Sequence, residues 1–300
     1  MTPGLHKAGH DTETKAQRDG DAAMTTEAGA PIGAMPLYTH LERIERGLAA
    51  QGVAPGDPIR PEQLFPLDQW HYHGTEAVAT AAERLGLGPQ SSVLEIGSGI
   101  GGPARYLAHT TGCHVTAVEL QPDLNDLGAD LTRRCGLADH VTHLCGDALT
   151  VELPAGAFDA VVSWLAIVHI PDRRRLFERA ATALRAGGGC YVEDLCAHAP
   201  FQGEDAVDLR DVVHGRSVST IAAYVDDLQA AGFRDVEATD LTPDWAPFAH
   251  ARLAAWKHGR AAYAAVHGDG AYDAQELFYT VIARLYDGGS LGGVRLVARI

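Results

Sequence analysis

The sequence predicts an α/β protein whose sheet is doubly wound, with strands running parallel between covering helices. Three observations carry that prediction. Short, nearly continuous apolar runs of strand length alternate with helix-length segments, the pattern left by strands buried on both faces. The first run, Val93-Leu-Glu-Ile96, breaks into four glycines within six residues, Gly97-Ser-Gly-Ile-Gly-Gly102, and passes into Pro103-Ala-Arg-Tyr-Leu-Ala. A buried strand, a tight turn and a helix start follow directly. Third, acidic residues close successive runs, at Glu119, Asp147 and Glu193.

Taken in order, residues 1–34 carry Gly, Ala, Thr, Asp and Lys without hydrophobic period and read as a disordered tail. The remainder, 35–300, reads as one domain. Leu37, Leu41, Ile44 and Leu48 recur at helical spacing up to Gly52, and Pro55 to Pro66 reads as a connector. Thr75 is placed to cap a helix over Ala77 to Leu85. These N-terminal helices (35–90) lead into a core, 91–195. There a helix over about 102–111 follows the glycine loop, and Cys113 to Val118 is a second strand closed by Glu119. A helix over Pro122 to Cys135, a strand over His140 to Cys145, and a strand over Phe158 to Trp164 come next. Asp172 to Leu184 is a helix, Gly187-Gly-Gly a turn, and Cys190 to Asp194 a fifth strand. Residues 196–216 read as a polar insert. Ser217 to Ala231 is a helix stopped by Gly232, Phe233 to Leu241 alternates like a strand, and Ala246–Val266 and Tyr272–Tyr286 are helices. Gly292 to Ile300 is the terminal strand, so the sheet has seven strands in all.

Composition narrows the function. With 39 Asp+Glu against 24 Lys+Arg, the net charge is −15, which repels phosphate backbones and argues against general nucleic-acid binding. No apolar run approaches the roughly 18 residues of a membrane span, so no membrane partner is expected. The N-terminal residues lack the apolar core of a signal peptide, which points to the cytoplasm. The five cysteines are scattered without a C-x-x-C pair and read as buried thiols rather than disulfides or zinc ligands. Nothing decides between a monomer and a homo-oligomer.

Ligands of parallel sheets bind beyond the carboxyl ends of the strands. Gly97, Glu119, Asp147, Trp164 and Glu193 all fall on that edge. Glu119 stands 22 residues after Gly97, where a carboxylate can accept both ribose hydroxyl protons of an adenosine. Asp147 sits where it can accept the exocyclic amine of adenine, and Glu95 where it reaches the amino end of a cofactor through water. The ring-rich cluster Gln69-Trp-His-Tyr-His-Gly74 lies beside the loop and is a candidate pocket wall. Gly97-x-Gly99-x-x-Gly102 also fits a dinucleotide loop, which leaves an oxidoreductase as the distant alternative.

The set E-I-G-S-G-I-G, Glu119, Gly146-Asp147 and Phe158-Asp-Ala-Val resembles the motifs of the class I S-adenosylmethionine-dependent methyltransferases. The turn L-R-A-G-G-G-C-Y-V is similar to theirs too, with Ala186 in place of the usual proline. The likeness covers about 70–195 and, through the last strand, extends to 300. It implies a Rossmann-like seven-stranded sheet with the last strand antiparallel, S-adenosyl-L-methionine as cofactor and a small-molecule methyl acceptor. It also implies a helical substrate cap over 196–290. The cofactor side would comprise Glu95, Gly97, Ser98, Gly99, Gly101, Glu119, Leu120, Asp147, Ala148 and Trp164. Within the family, V-L-E-I-G-S-G-I-G-G-P-A-R-Y-L-A looks most like the phosphoethanolamine, sarcosine and tocopherol enzymes.

The stretch S-W-L-A-I-V-H-I is similar to S-R-D-A-I-L-H-L of the phosphoethanolamine enzymes and places His169 on their catalytic histidine. A neutral imidazole there can take a proton from an attacking nucleophile. Leu165 and Trp164 depart from the acidic residue and arginine of those enzymes, which speaks against a phosphobase substrate. Tyr72 and His73 join His169 as catalytic candidates; Tyr38, Gln69, His71 and Trp245 are candidates for the acceptor wall. A divalent metal at Glu193-Asp194 with His169 is a further arrangement, but the spacing is not diagnostic and no metal is expected. A protein of this fold that binds the cofactor without transferring its methyl group is the alternative from another class.

Overall fold

The computed structural model describes residues 32–300. The predicted tail over 1–34 lies outside them except for Ile32–Ala34, which forms a 3-10 turn followed by a second at Pro36–Tyr38. Helices α1 (Glu42–Ala50), α2 (Pro61–Asp68) and α3 (Thr75–Leu85) precede the first strand. The core then alternates β1 (Ser92–Ile96), α4 (Gly102–Thr111), β2 (His114–Glu119), α5 (Pro122–Arg134), β3 (Val141–Cys145) and β4 (Phe158–Trp164). A 3-10 turn (Ile167–His169) leads to α6 (Arg173–Ala183), β5 (Leu184–Ala197), α7 (Gly203–Asp211), α8 (Ile221–Ala230) and β6 (Arg234–Asp240). Helices α9 (Thr242–His258), α10 (Arg260–His267) and α11 (Asp269–Asp287) precede β7 (Leu291–Arg299).

The seven strands form one sheet in the order β3-β2-β1-β4-β5-β7-β6. All pairings among β1 to β5 are parallel, and β7 runs antiparallel to both β5 and β6. Alternation along each strand supplies the two covered faces. Val93, Val115, Ala117, Val162 and Tyr191 meet α3 and α4 on one side. Leu94, Val161, Cys190 and Val192 meet α6 and α8 on the other. Because the chain leaves β1 toward β2 on one side and reaches β4 on the other, the crevice beyond β1 and β4 is the topological switch point, where ligands of such sheets bind. Helices α7, α9 and α11 pack with Tyr72, Leu195 and Leu291 beyond the strand ends. Helices α1 and α2 pack on α5.

Several elements differ from the sequence reading. The helix expected from Leu37 begins only at Glu42, after the two 3-10 turns. The proline connector contains α2: Pro61 occupies its first turn, and the Arg60 N–H is taken by Gln63 Oε1 at 3.1 Å. Thr75 is not the cap of α3, because Gly74 holds that position at φ +52°. The Gly187-Gly-Gly turn is a bulge inside a longer β5, where the register with β4 jumps from Phe158↔Leu184 to Ala160↔Gly189. The polar insert contains α7, whose one buried residue is Leu209, too weak a period to read. The Ala246–Val266 helix is two helices divided at Gly259. All five cysteines are free, and Cys145 is exposed rather than buried. Among the described residues, no helix is long and apolar enough to cross a membrane.

Candidate active site

A cavity opens beyond the carboxyl ends of β1, β2 and β4, with about 1480 Å³ of space free of protein atoms, its mouth included. Its near wall is the glycine loop, the strand ends and the turn after β4; its far wall is the 70–72 segment and faces of α9 and α11.

The loop is shaped from beneath. The N–H groups of Gly97 and Ser98 both donate to Val118 O, at 2.9 and 3.0 Å, which folds the loop over the end of β2. Gly97 has φ +71°, and a Cβ there would lie 2.2 Å from the Cβ of Ala166, so the approach of the two turns requires glycine. The Glu119 carboxylate accepts from Gly99 N and Gln121 N, each at 2.9 Å. Burial pushes its pKa up while these N–H donors oppose the rise. Above Gly99 a Cβ would meet nothing within 4 Å, so the space the loop encloses is open.

Three polar atoms around that space are buried with no partner among the described residues: Glu95 Oε2, Ser98 Oγ and Trp164 Nε1. All three residues line the cavity. Such orphans are rare inside proteins and call for a partner. Burial raises the Glu95 carboxyl to about 8, with Arg105 pulling the other way. Arg105, itself buried, donates to Asp68 Oδ2 at 2.9 Å, Thr132 Oγ1 at 3.2 Å and Gly128 O at 3.2 Å, tying α2, α4 and α5 together below the loop. Burial pushes Asp68 above its ordinary range against the pull of Arg105.

Beside the loop runs the turn after β4 that carries His169. Leu165 takes φ +52° at the end of β4, a conformation costly for a branched side chain and typical of functional turns. The turn is then pinned from several sides. Asp194 accepts from Val168 N at 2.9 Å and Leu195 N at 2.7 Å, Ser217 Oγ donates to Ile167 O at 2.9 Å, and His169 Nδ1 bonds to His214 O at 2.9 Å. A carbonyl accepts only, so the proton sits on Nδ1 and Nε2 carries the lone pair. Burial lowers the His169 pKa to about 4, so the imidazole is neutral at physiological pH. Burial raises Asp194 to about 7, opposed by its two N–H donors.

The cavity brings together His169, Tyr72, His71, Tyr38, Glu95, Gly97, Ser98, Gly99, Glu119, Leu120, Asp147, Ala148 and Trp164. Leu120 is 53% exposed although apolar, a flat surface for a ring at the mouth. Asp147 spends Oδ1 on Leu149 N at 2.8 Å. His71 bonds Gly74 O through Nε2 at 2.9 Å, and burial holds its pKa near 4.

Four expected residues lie elsewhere. His73 turns away from the cavity onto Phe248, with Nε2 2.8 Å from Asp244. Gly101 caps α4 and backs onto His143 and Arg105. Gln69 donates to Asp68 Oδ1 at 2.9 Å. Trp245 is fully buried behind Tyr72, rings stacked at 4.1 Å, and closes on Gly293. Glu193 and Asp194 are not brought together with His169 as the metal arrangement would require. The residues point to opposite faces of β5, and Glu193 takes the Tyr191 hydroxyl and Arg295. No cluster of three or more metal-type ligands occurs among the described residues. Arg252, Phe278, Tyr279 and Ile282, which no sequence motif marks, complete the far wall. Their helical spacing marks a face, but nothing in the sequence distinguishes a cavity face from a core face.

Residues 93–188 match a family described as methyltransferase domain. The sarcosine/dimethylglycine N-methyltransferase of Halorhodospira halochloris is 34% identical over 163 residues, which are 52% of this chain and 56% of that one. The chain spans between about a third and just over half of the lengths of the curated relatives it matches first. Among solved structures, the Haemonchus contortus phosphoethanolamine N-methyltransferase 2 in complex with S-adenosyl-L-methionine superposes with a TM-score of 0.73 at 20% identity, covering 90% of this chain and 60% of that one. The [4+2]-cyclase SpnF superposes with a TM-score of 0.59 at 19% identity, covering 91% and 98%. The sheet order, the glycine loop with its strand-end carboxylates and the domain match agree: residues 93–188 carry a methyltransferase domain, and the chain has the class I methyltransferase fold.

Proposed function

We propose that the protein transfers a methyl group from S-adenosyl-L-methionine to a nitrogen, oxygen or carbon nucleophile of a small molecule. The observation that carries this reading is the orphaned trio Glu95, Ser98 and Trp164 around the open space above Gly99. A carboxylate facing an ammonium, with a hydroxyl and an indole N–H facing a carboxylate, is the complement of an amino-acid end. Glu119 would accept the ribose hydroxyls, and its negative charge would repel a 2′-phosphate. Leu120, Asp147 and Ala148 would hold the adenine. No pyrophosphate is needed to fill the loop, which separates this cradle from a dinucleotide site.

When bound, the cofactor supplies a methyl group already activated on a sulfonium. The residues then have to hold the acceptor in line and exclude water. Tyr38, Trp70 and Tyr72 furnish an aromatic wall for that purpose. His169 would take the acceptor's proton on Nε2, or fix the acceptor by the same lone pair, with Nδ1–H anchored on His214 O. Its low basicity suits an acceptor whose proton becomes acidic only as the new bond forms.

Calorimetry with S-adenosylhomocysteine tests the cradle. Glu119→Ala should weaken binding at least about ten-fold, and unchanged affinity would remove the assignment. A second reading keeps the cofactor cradle but assigns a reaction other than methyl transfer, since the fold is shared with a protein described as a [4+2]-cyclase. Incubation with labelled cofactor separates the two, since only methyl transfer releases S-adenosylhomocysteine.

A further inference from the structure

The charges of the cavity wall are segregated. Its carboxylates, Asp68, Glu95, Glu119 and Asp147, all stand on the side of the glycine loop and strand ends. Across from them, on α9, Arg252 is the one lysine or arginine of the wall among the described residues. Its guanidinium has no carboxylate within 4 Å among the described residues, although most arginines of this acidic chain do. One donor, Nη2, reaches His71 O at 2.9 Å. The rest of the group is steadied by rings, 4.7 Å from Phe248, 5.5 Å from Tyr72 and 5.7 Å from Tyr279.

Aromatic faces hold a cation in place without neutralising it. A partly buried guanidinium, fixed in geometry with further N–H donors unspent, gains most from a bidentate anion. Around it the wall is apolar: Ala249, Phe278 and Ile282 flank it on α9 and α11. A small zwitterion would leave that surface bare, and a cationic acceptor would meet repulsion there.

We propose that Arg252 is the acceptor anchor, and that the methyl acceptor is an amphiphilic anion, an acyl or aryl body ending in a carboxylate or phosphate. The apolar body lies along α9 and α11 while the anionic end pairs with Arg252, on the side of the cavity away from the carboxylates. This rests on the reading of the near wall as the cofactor cradle.

The test uses the full-length protein saturated with S-adenosylhomocysteine and calorimetric titration of four probes: 3-phenylpropionate, 3-phenylpropyl phosphate, 3-phenyl-1-propanol and sarcosine. At least one of the two anions should bind about ten-fold or more tighter than the alcohol and than sarcosine; which anion is favoured identifies the end group. Arg252→Gln, which keeps an N–H donor for His71 O, should remove that preference while leaving the alcohol's affinity and that of S-adenosylhomocysteine unchanged. Arg252→Lys should restore part of it. Equal binding of anions and alcohol, tighter binding of sarcosine, or a uniform loss in Arg252→Gln would overturn the proposal. The S-adenosylhomocysteine titration reports separately on the cofactor reading, which fails if that ligand does not bind, whatever the probes do.

Discussion

Glu95 offers the sharpest quantitative handle on the cofactor cradle. Its carboxyl is fully enclosed and raised to about 8, so it is protonated in the ligand-free protein at neutral pH. If its role is to face an ammonium, it must ionise on binding, and the proton leaves to solvent. At pH 7 a group with a pKa near 8 is about one-tenth ionised, so ionisation costs about 1.4 kcal/mol there, and about 0.9 proton is released per ligand bound. Affinity should therefore rise about nine-fold between pH 6 and pH 7, a range in which the ligand's own amine stays protonated. Titration of S-adenosylhomocysteine in buffers of different ionisation enthalpy measures the released proton directly. Glu95→Gln should abolish both the release and the pH slope. The same buried acid acts on stability in the opposite sense. Its folded pKa lies above the value of 4.5 it has in the open chain, so its contribution is full below that pH and is lost as pH rises toward 8. Glu95→Gln should hence melt higher than the parent at pH 8 without ligand, while binding the cofactor more weakly. Affinity that is flat with pH in the parent protein, with no proton released, would refute the reasoning.

Other perturbations follow from the same geometry. His169→Ala should cut turnover far more than cofactor affinity; unchanged turnover removes the base assignment. Asp194→Asn leaves one of two buried N–H donors facing an amide nitrogen, at a cost of about 1–3 kcal/mol by thermal or denaturant unfolding, and loosens the turn that carries His169. Gly97→Ala would force a Cβ to within 2.2 Å of Ala166, so cofactor affinity should collapse even if the protein still folds; calorimetry and circular dichroism separate the two.

The core was legible because strands buried on both faces leave unbroken apolar runs, and β4 and α4 fall where those runs and the glycines put them. The short helices were not. Helix α2 starts on a proline that also reads as a linker, and α7 buries a single leucine, so neither leaves a period. The glycine-loop wall of the cavity was equally legible, since Gly97, Glu119 and Asp147 sit at strand ends whose convergence the parallel sheet dictates. The far wall was not, because it is assembled from α9 and α11, far along the chain. Trp245 illustrates the difficulty: size and aromaticity suit a wall residue, yet its ring is spent supporting Tyr72 from behind. Arg252, one turn beyond Ala249 on the same helix, carries no motif and gains meaning only from what faces it.

The most direct test of the central claim follows the methyl group itself. The protein is incubated with S-adenosyl-L-methionine labelled in the methyl group and a panel of amines, phenols and apolar acids, and the products are read by mass spectrometry. S-adenosylhomocysteine and a labelled acceptor are expected in equal amounts, with at least one acceptor of the panel and with strong loss in His169→Ala. Cofactor recovered intact while an acceptor is converted, or no binding of cofactor at all, would contradict the claim.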